Sequence, residues 1–197
     1  GLYALLGGHR RGDSNEPQSN SSLSRTTTLP VLFRHTFATV RQTNRKVMKR
    51  ILFINGSPNR SGNTAAMAQR MLAETKYKTL NLVDYKIYPL GQSFDDDQFD
   101  EVMQQMLEAD VLVMGSPVYW HSMTGQFRTL LDRIYETPLK HRLSGKELYF
   151  IFQGAAPSTA MLEAGNYTMN IFCRLFGLHY RGMVSHRSEA EKLRITL

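Results

Sequence analysis

The chain has 197 residues, room for one domain of about 150 residues and an appendage. One cysteine, Cys173, excludes a disulfide, a Cys-ligated zinc or an iron–sulfur cluster within these residues, and no apolar run approaches the ~20 residues of a membrane helix. The net charge of +7 would suggest nucleic acid, but residues 1–47 carry seven Lys or Arg against Asp13 and Glu16, whereas the other 150 residues carry 17 against 15; neither a nucleic-acid nor a membrane partner is expected for the folded part.

Residues 1–47 are rich in Ser, Thr, Asn and Arg and show no helical or strand period. The first methionine is Met48, where "MKRILFINGS" reads like a chain start running into a strand. Residues 1–47 are therefore expected to be a disordered, basic extension outside the fold, and 48–197 a single domain. A cytoplasmic location is expected; the Arg- and Ser-rich, acid-poor extension also fits an organelle transit peptide, the alternative.

From Met48 onward strands alternate with helices. Residues 51–54, 111–114 and 148–152 are continuous apolar runs, as strands buried on both faces of a parallel sheet require; 80–85 and 179–185 mix polar and apolar residues and suit sheet edges. Between them Phe99, Val102, Met103, Met106 and Leu107 recur at helical spacing, as do Phe127, Leu130, Leu131, Ile134 and Tyr135, and then Ile171, Phe172, Leu175 and Phe176, with Gly177 as C-cap. These positions predict core packing. The acidic run 95–97 reads as a solvated loop, not a metal site.

Five strands separated by helices predict an α/β fold: a doubly wound parallel sheet in the order 2-1-3-4-5, with helices on both faces. In that order ligands bind beyond the carboxyl ends of strands one and three, where the two most unusual loops lie. The first, "GSPNRSGNT" (56–64), offers Gly56 for a sharp turn, Gly62 for close backbone approach, and Ser57, Asn59, Ser61, Asn63 and Thr64 as polar groups, with Arg60 at the rim. Asn63 and Thr64 open the next helix, whose free N–H groups and dipole favour an anion. The P-loop pattern needs a lysine, but Asn63 follows Gly62. What fits is a phosphate monoester that is held and never transferred, such as that of FMN. The bland alternative is a Ser/Asn-rich loop that only caps a helix.

The second loop, "GSPVYWHSMTGQF" (115–127), places Tyr119 and Trp120 side by side, as a wall for a planar ring or as cover for a core edge. His121 has no assigned role.

"GSPNRSGNT" followed by "SPVYWHSMTGQFRTLLDR" resembles the flavodoxin-like NAD(P)H-dependent FMN reductases over about 48–186. The resemblance implies that Ser57, Asn59, Ser61, Asn63 and Thr64 hold the FMN phosphate, with Arg60 and Gly62 in the same loop. It further implies that Pro117, Val118, Tyr119 and Trp120, with His121 beside them, border the flavin ring. "QGAAPS" (153–158) would be a third flavin loop, through Gln153, Gly154 and Ala155. Asp132 and Arg133, which also match, read as a helix-end ion pair. Only eleven residues follow His186, short for a full final helix. The implied activity is an FMN-dependent oxidoreductase taking hydride from NADPH or NADH and passing electrons to a small acceptor: a quinone, an azo or nitro compound, free flavin or a ferric chelate. No side-chain catalyst and no metal are needed, because the flavin carries the chemistry. Backbone N–H groups near 120–122 or 154–156 would face the reduced ring, and a homodimer is expected. The alternative is a flavodoxin-type electron carrier with a protein redox partner, against which the slightly basic core argues.

Overall fold

In the computed structural model, residues 48–192 and residue 195 are described; the expectations for 1–47 fall outside them. Five parallel strands, β1 (Ile51–Asn55), β2 (Tyr77–Asn81), β3 (Val111–Pro117), β4 (Glu147–Gln153) and β5 (His179–Val184), lie in the order β2-β1-β3-β4-β5. The expected topology is the observed one. Every residue of β1 and β3 is buried, which is why both read as unbroken apolar runs; edge strand β2 buries only Leu80. Its sequence is therefore a weak signal, and the strand predicted over 80–85 lies at 77–81, with a short 3-10 turn, Leu82–Asp84, behind it.

Five helices cover the sheet: α1 (Asn63–Met71), α2 (Phe99–Glu108), α3 (Gly125–Glu136), α4 (Thr159–Phe176) and α5 (Arg187–Lys192). One core cluster packs α2, α3 and α4 on one face through Met103, Phe127, Leu130, Phe150 and Phe172; a second packs α1 and the chain end on the other through Phe53, Met67, Met71 and Ile195. Three stripe positions fall outside the core: Tyr135 on α3 is 58% exposed, Leu175 on α4 is 61% exposed, and Ile171 is half-buried. α4 starts at Thr159 and turns Gly165, Met169, Phe172, Cys173 and Phe176 inward instead. Gly177 caps α4 in the left-handed region (φ 72°), its N–H donating to Cys173 O. Burial pushes the Cys173 thiol up to about 12, so the lone cysteine stays protonated. No described helix is long and apolar enough to cross a membrane.

Arg133 does not pair with Asp132. It reaches across to the loop before α2, donating to Asp97 and to Tyr88 O (3.0 Å), with its guanidinium 4.5 Å from the Phe99 ring centre. The acidic run is exposed at Asp95 and Asp96, as expected of a solvated loop, with Asp96 accepting from Lys86 (2.7 Å) and Tyr88 (2.9 Å); Asp97 departs from that, being largely buried against Arg133. Partial burial works against ionised Asp97, but hydrogen bonds from Arg133 and from Phe99 N–H prevail and hold its carboxyl below the usual aspartate range. A lowered folded-state value contributes stability that is present above the unfolded value, roughly pH 4. That stability is lost as pH falls through the lowered one. Asp97→Asn should accordingly cost about 1–2 kcal/mol at pH 7, and the gap to the parent in urea midpoints should close as pH drops below the aspartate range.

Candidate functional site

The loop after β1 is built on Asn55, whose side chain is fully buried. Its Oδ1 accepts from Ser57 N (3.1 Å), and its Nδ2 donates to Asn81 Oδ1 (3.1 Å), Asn59 O (3.3 Å) and Arg60 O (3.5 Å). The loop's own side chains continue the pattern: Ser57 Oγ accepts from Asn59 N (3.1 Å), and Asn59 Oδ1 from Ser61 N (3.0 Å). These oxygens hold the loop and leave the next helix uncapped. Its N-cap is Gly62, with no side-chain acceptor, and the N–H groups of Asn63, Thr64 and Ala65 have no acceptor among the described residues. By contrast Thr124 caps α3 and Ser158 caps α4 (both 3.3 Å). Uncapped N–H groups at the positive end of a helix favour an anion.

The loops after β1, β3 and β4 form one hydrogen-bonded unit. Gly56 N donates to Gly115 O (2.7 Å), and a Cβ at Gly56 would lie 2.9 Å from that oxygen and 2.7 Å from the Phe127 ring. Glycine is required there by close approach, not by the sharp turn predicted. Thr124 Oγ1 donates to Gly56 O (2.7 Å), Ser116 Oγ accepts from Thr124 N (3.0 Å), and Val118 N donates to Gln153 O (2.8 Å). Gln153 Nε2 closes the unit by donating to Thr64 Oγ1 (3.1 Å). Thr64 is thus fully buried, with its hydroxyl accepting from Gln153, so its side chain is not placed as the phosphate donor that its sequence position suggested. Gly154 lies so close to Val118 that a Cβ would meet the Val118 Cβ at 3.2 Å.

Tyr119 and Ser122 exchange both backbone hydrogen bonds (2.9 and 3.0 Å), which puts Trp120 and His121 in the two central positions of a tight hairpin turn, at φ 48° and 63°. Glycine and asparagine favour these positions; for larger side chains they cost about 1 kcal/mol or more each. Trp120 recovers little of that, being 95% exposed, while Tyr119 is 49% exposed. Ser122 N is engaged in the turn, whereas the N–H groups of Trp120, His121, Gly154, Ala155 and Ala156 have no backbone acceptor outside regular helices and strands among the described residues.

The three predicted loops are therefore held together at the carboxyl ends of β1, β3 and β4, but several predicted side chains are engaged within them: Ser57 and Asn59 in their own loop, and Thr64 by Gln153. Arg60 turns from the rim to Asp84, whose carboxyl it holds below the usual range through a side-chain hydrogen bond. Asn55, Ser116 and Thr124 were missed, although a polar residue closing an apolar strand, as Asn55 does, was a visible signal. A cavity of about 320 Å³ lies at the opposite end of the sheet, beside Met48, Leu52, Tyr77 and Ala109. Of the cations at its edge, Lys49 is engaged by Glu147 and Arg50 by Asp110.

The fold is that of a flavodoxin-like α/β domain. Residues 49–190 match the family model for NADPH-dependent FMN reductases, and the chain belongs to that family of FMN- and NAD(P)H-dependent enzymes. It is 25% identical over 151 residues to the Bacillus subtilis protein YwqN, named as an NAD(P)H-dependent FMN-containing oxidoreductase, covering 68% of this chain and 83% of that one. It is 32% identical over 98 residues to an iron–sulfur flavoprotein of Methanocaldococcus jannaschii, covering 43% of this chain and 51% of that protein. The chain thus spans about half the length of that flavoprotein. Among solved structures, the Trp repressor binding protein from Bacillus subtilis shares the fold, with a TM-score of 0.62 at 21% identity over 75% of this chain and all of that one.

Asn55→Ala, which strands the Ser57 N–H and two loop carbonyls, should destabilise the protein by about 2–3 kcal/mol in urea unfolding; a loss below about 0.5 would mean the loop is held by other contacts. Replacing Trp120 with Asn and His121 with Gly together should raise stability by about 1 kcal/mol, read as a higher thermal midpoint, since the turn is relaxed and almost no burial is lost.

Proposed function

We propose that this chain binds FMN at the crevice with its phosphate on the N-terminal turn of α1, takes hydride from NAD(P)H and reduces a small planar acceptor. The observation that carries the placement is the uncapped start of α1. Its neighbouring polar side chains fold back on their own loop, so that the N–H groups of Asn63, Thr64 and Ala65 are left without an acceptor among the described residues. A loop that served only to cap the helix would have spent Ser61 or Asn59 on those groups.

When bound, FMN supplies a ring that accepts hydride and returns electrons. The protein's part is to hold and orient. Thr124, Ser116 and Gln153 fix the three loops relative to one another before any ligand arrives, which lowers the ordering cost of binding. Pro117, Val118 and Tyr119 would border the ring, with the N–H groups of Gly154 and Ala155 toward negative charge on its polar edge. The side chain of Trp120 is held out in solvent by a strained turn and offers a flat apolar face. That favours a planar acceptor such as a quinone or an azo or nitro aromatic over a ferric chelate. Residues 48–197 would form the FMN-binding domain.

The test is the visible spectrum of the purified full chain, before and after anaerobic NADPH and NADH. Flavin bands at about 370 and 450 nm should be present, or appear on adding FMN, and should bleach within seconds of mixing with one of the nucleotides. Bound flavin that stays oxidised with both would mean an electron carrier instead. A protein that takes up no FMN would reduce the loop to a structural turn.

A further inference from the structure

A phosphate monoester is mostly dianionic at neutral pH, and the cradle so far offers it only neutral donors. There is no P-loop lysine, and Arg60 is paired with Asp84. The charge comes from a distant part of the sequence. Arg187, the first residue of α5, donates from Nη2 to Asn63 Oδ1 (3.1 Å), at the first position of α1.

Two further contacts fix how α5 lies. Arg70 on α1 donates to Glu191 on α5 (2.6 Å), and Ile195 N donates to Met71 O (3.1 Å). The contacts run in the same order along both segments, so the helices are parallel and their amino ends sit side by side. The link from β5 is fixed too: Glu189 accepts from Ser185 N (2.7 Å), Ser185 Oγ (3.0 Å) and His186 N (3.1 Å), and Ala190 is fully buried. These hydrogen bonds hold the Glu189 carboxyl below its usual range, Ser185 N–H first among the causes. Arg187 is thus aimed at the cradle by an anchored element. Among the described residues it makes that single hydrogen bond and no ion pair, so most of its five N–H groups stay open.

We infer that Arg187 is the cation of the phosphate site: α5 delivers a guanidinium to the rim of the α1 cradle, where it pairs with the FMN phosphate and selects the phosphorylated flavin over riboflavin. This rests on the reading of the crevice as an FMN site. A charge-assisted bond at a partly exposed rim corresponds to about tenfold in affinity. Because Arg187 belongs to α5, phosphate binding also fastens the last helix to the cradle.

Flavin binding to the full chain stripped of flavin, followed by fluorescence quenching, separates the outcomes. In Arg187→Gln the Kd for FMN should rise about tenfold, with that for riboflavin unchanged within about twofold. Arg187→Lys should recover part of the loss, and the dependence of FMN affinity on salt should be shallower in Arg187→Gln than in the parent. Equal weakening of FMN and riboflavin would overturn the proposal, since it would show a packing effect through α5. So would parental FMN affinity in Arg187→Gln, or an FMN-selective loss in Arg60→Gln alone. A parent protein that binds riboflavin as tightly as FMN would sink the phosphate reading of the cradle itself, a result distinct from the failure of Arg187.

Discussion

A fully buried carboxamide cannot turn to water, so it must find partners inside the protein, and Asn55 finds four. It stands where β1 leaves the sheet. Because its oxygen takes the Ser57 N–H and its nitrogen faces the carbonyls of Asn59 and Arg60, the loop is folded back into a fixed shape before it reaches α1. The bond to Asn81 ties the same group to the end of β2. Unmet groups at this depth cost about 1–3 kcal/mol each, so slack at Asn55 would spread along the loop. The geometry of the crevice depends on that one side chain.

The helices show what is unusual about the arrangement. α3 and α4 begin with a Thr and a Ser that accept the local N–H, and α2 starts against the Asp97 carboxylate (2.8 Å) with Asp100 and Glu101 in its first turn. α1 has none of these, though Ser57, Asn59 and Ser61 precede it. A cap would add about 1 kcal/mol, and leaving it out keeps positive potential directed at the crevice. Local stability is set aside at one place while the neighbouring rules are obeyed, which is the pattern expected of a binding site.

Much of this was legible in the residues. Continuous apolar runs and helical stripes are direct consequences of burial, so strand order, core and the two site loops follow from them. What stayed hidden was pairing across long sequence distances. Arg60 could have faced the crevice or Asp84, 24 residues on; Arg133 could have met Asp132 or Asp97; nothing local decides. Thr64 looked like an exposed hydroxyl because its neighbours are polar, but its place against Gly115 and Gln153 is set by a tertiary contact. Arg187 lies 124 residues from Asn63 and carries no motif of its own. Tyr135 and Leu175 misled in the other direction, since a stripe gives a face's direction but not its width.

The turn at Trp120 and His121 sets the two loops apart in kind. In the first loop, strain is avoided and hydrogen bonds are spent to hold an open cradle. In the second, both central residues occupy left-handed backbone that suits asparagine and glycine, and the indole gains almost no burial for it. Packing cannot account for a large aromatic in that position. A requirement for a flat, exposed surface beside the crevice can, and the short hairpin is a stiff way to hold one. In the reading proposed above, the phosphate would sit at the rigid polar end and a planar acceptor beside the uncovered aromatic one.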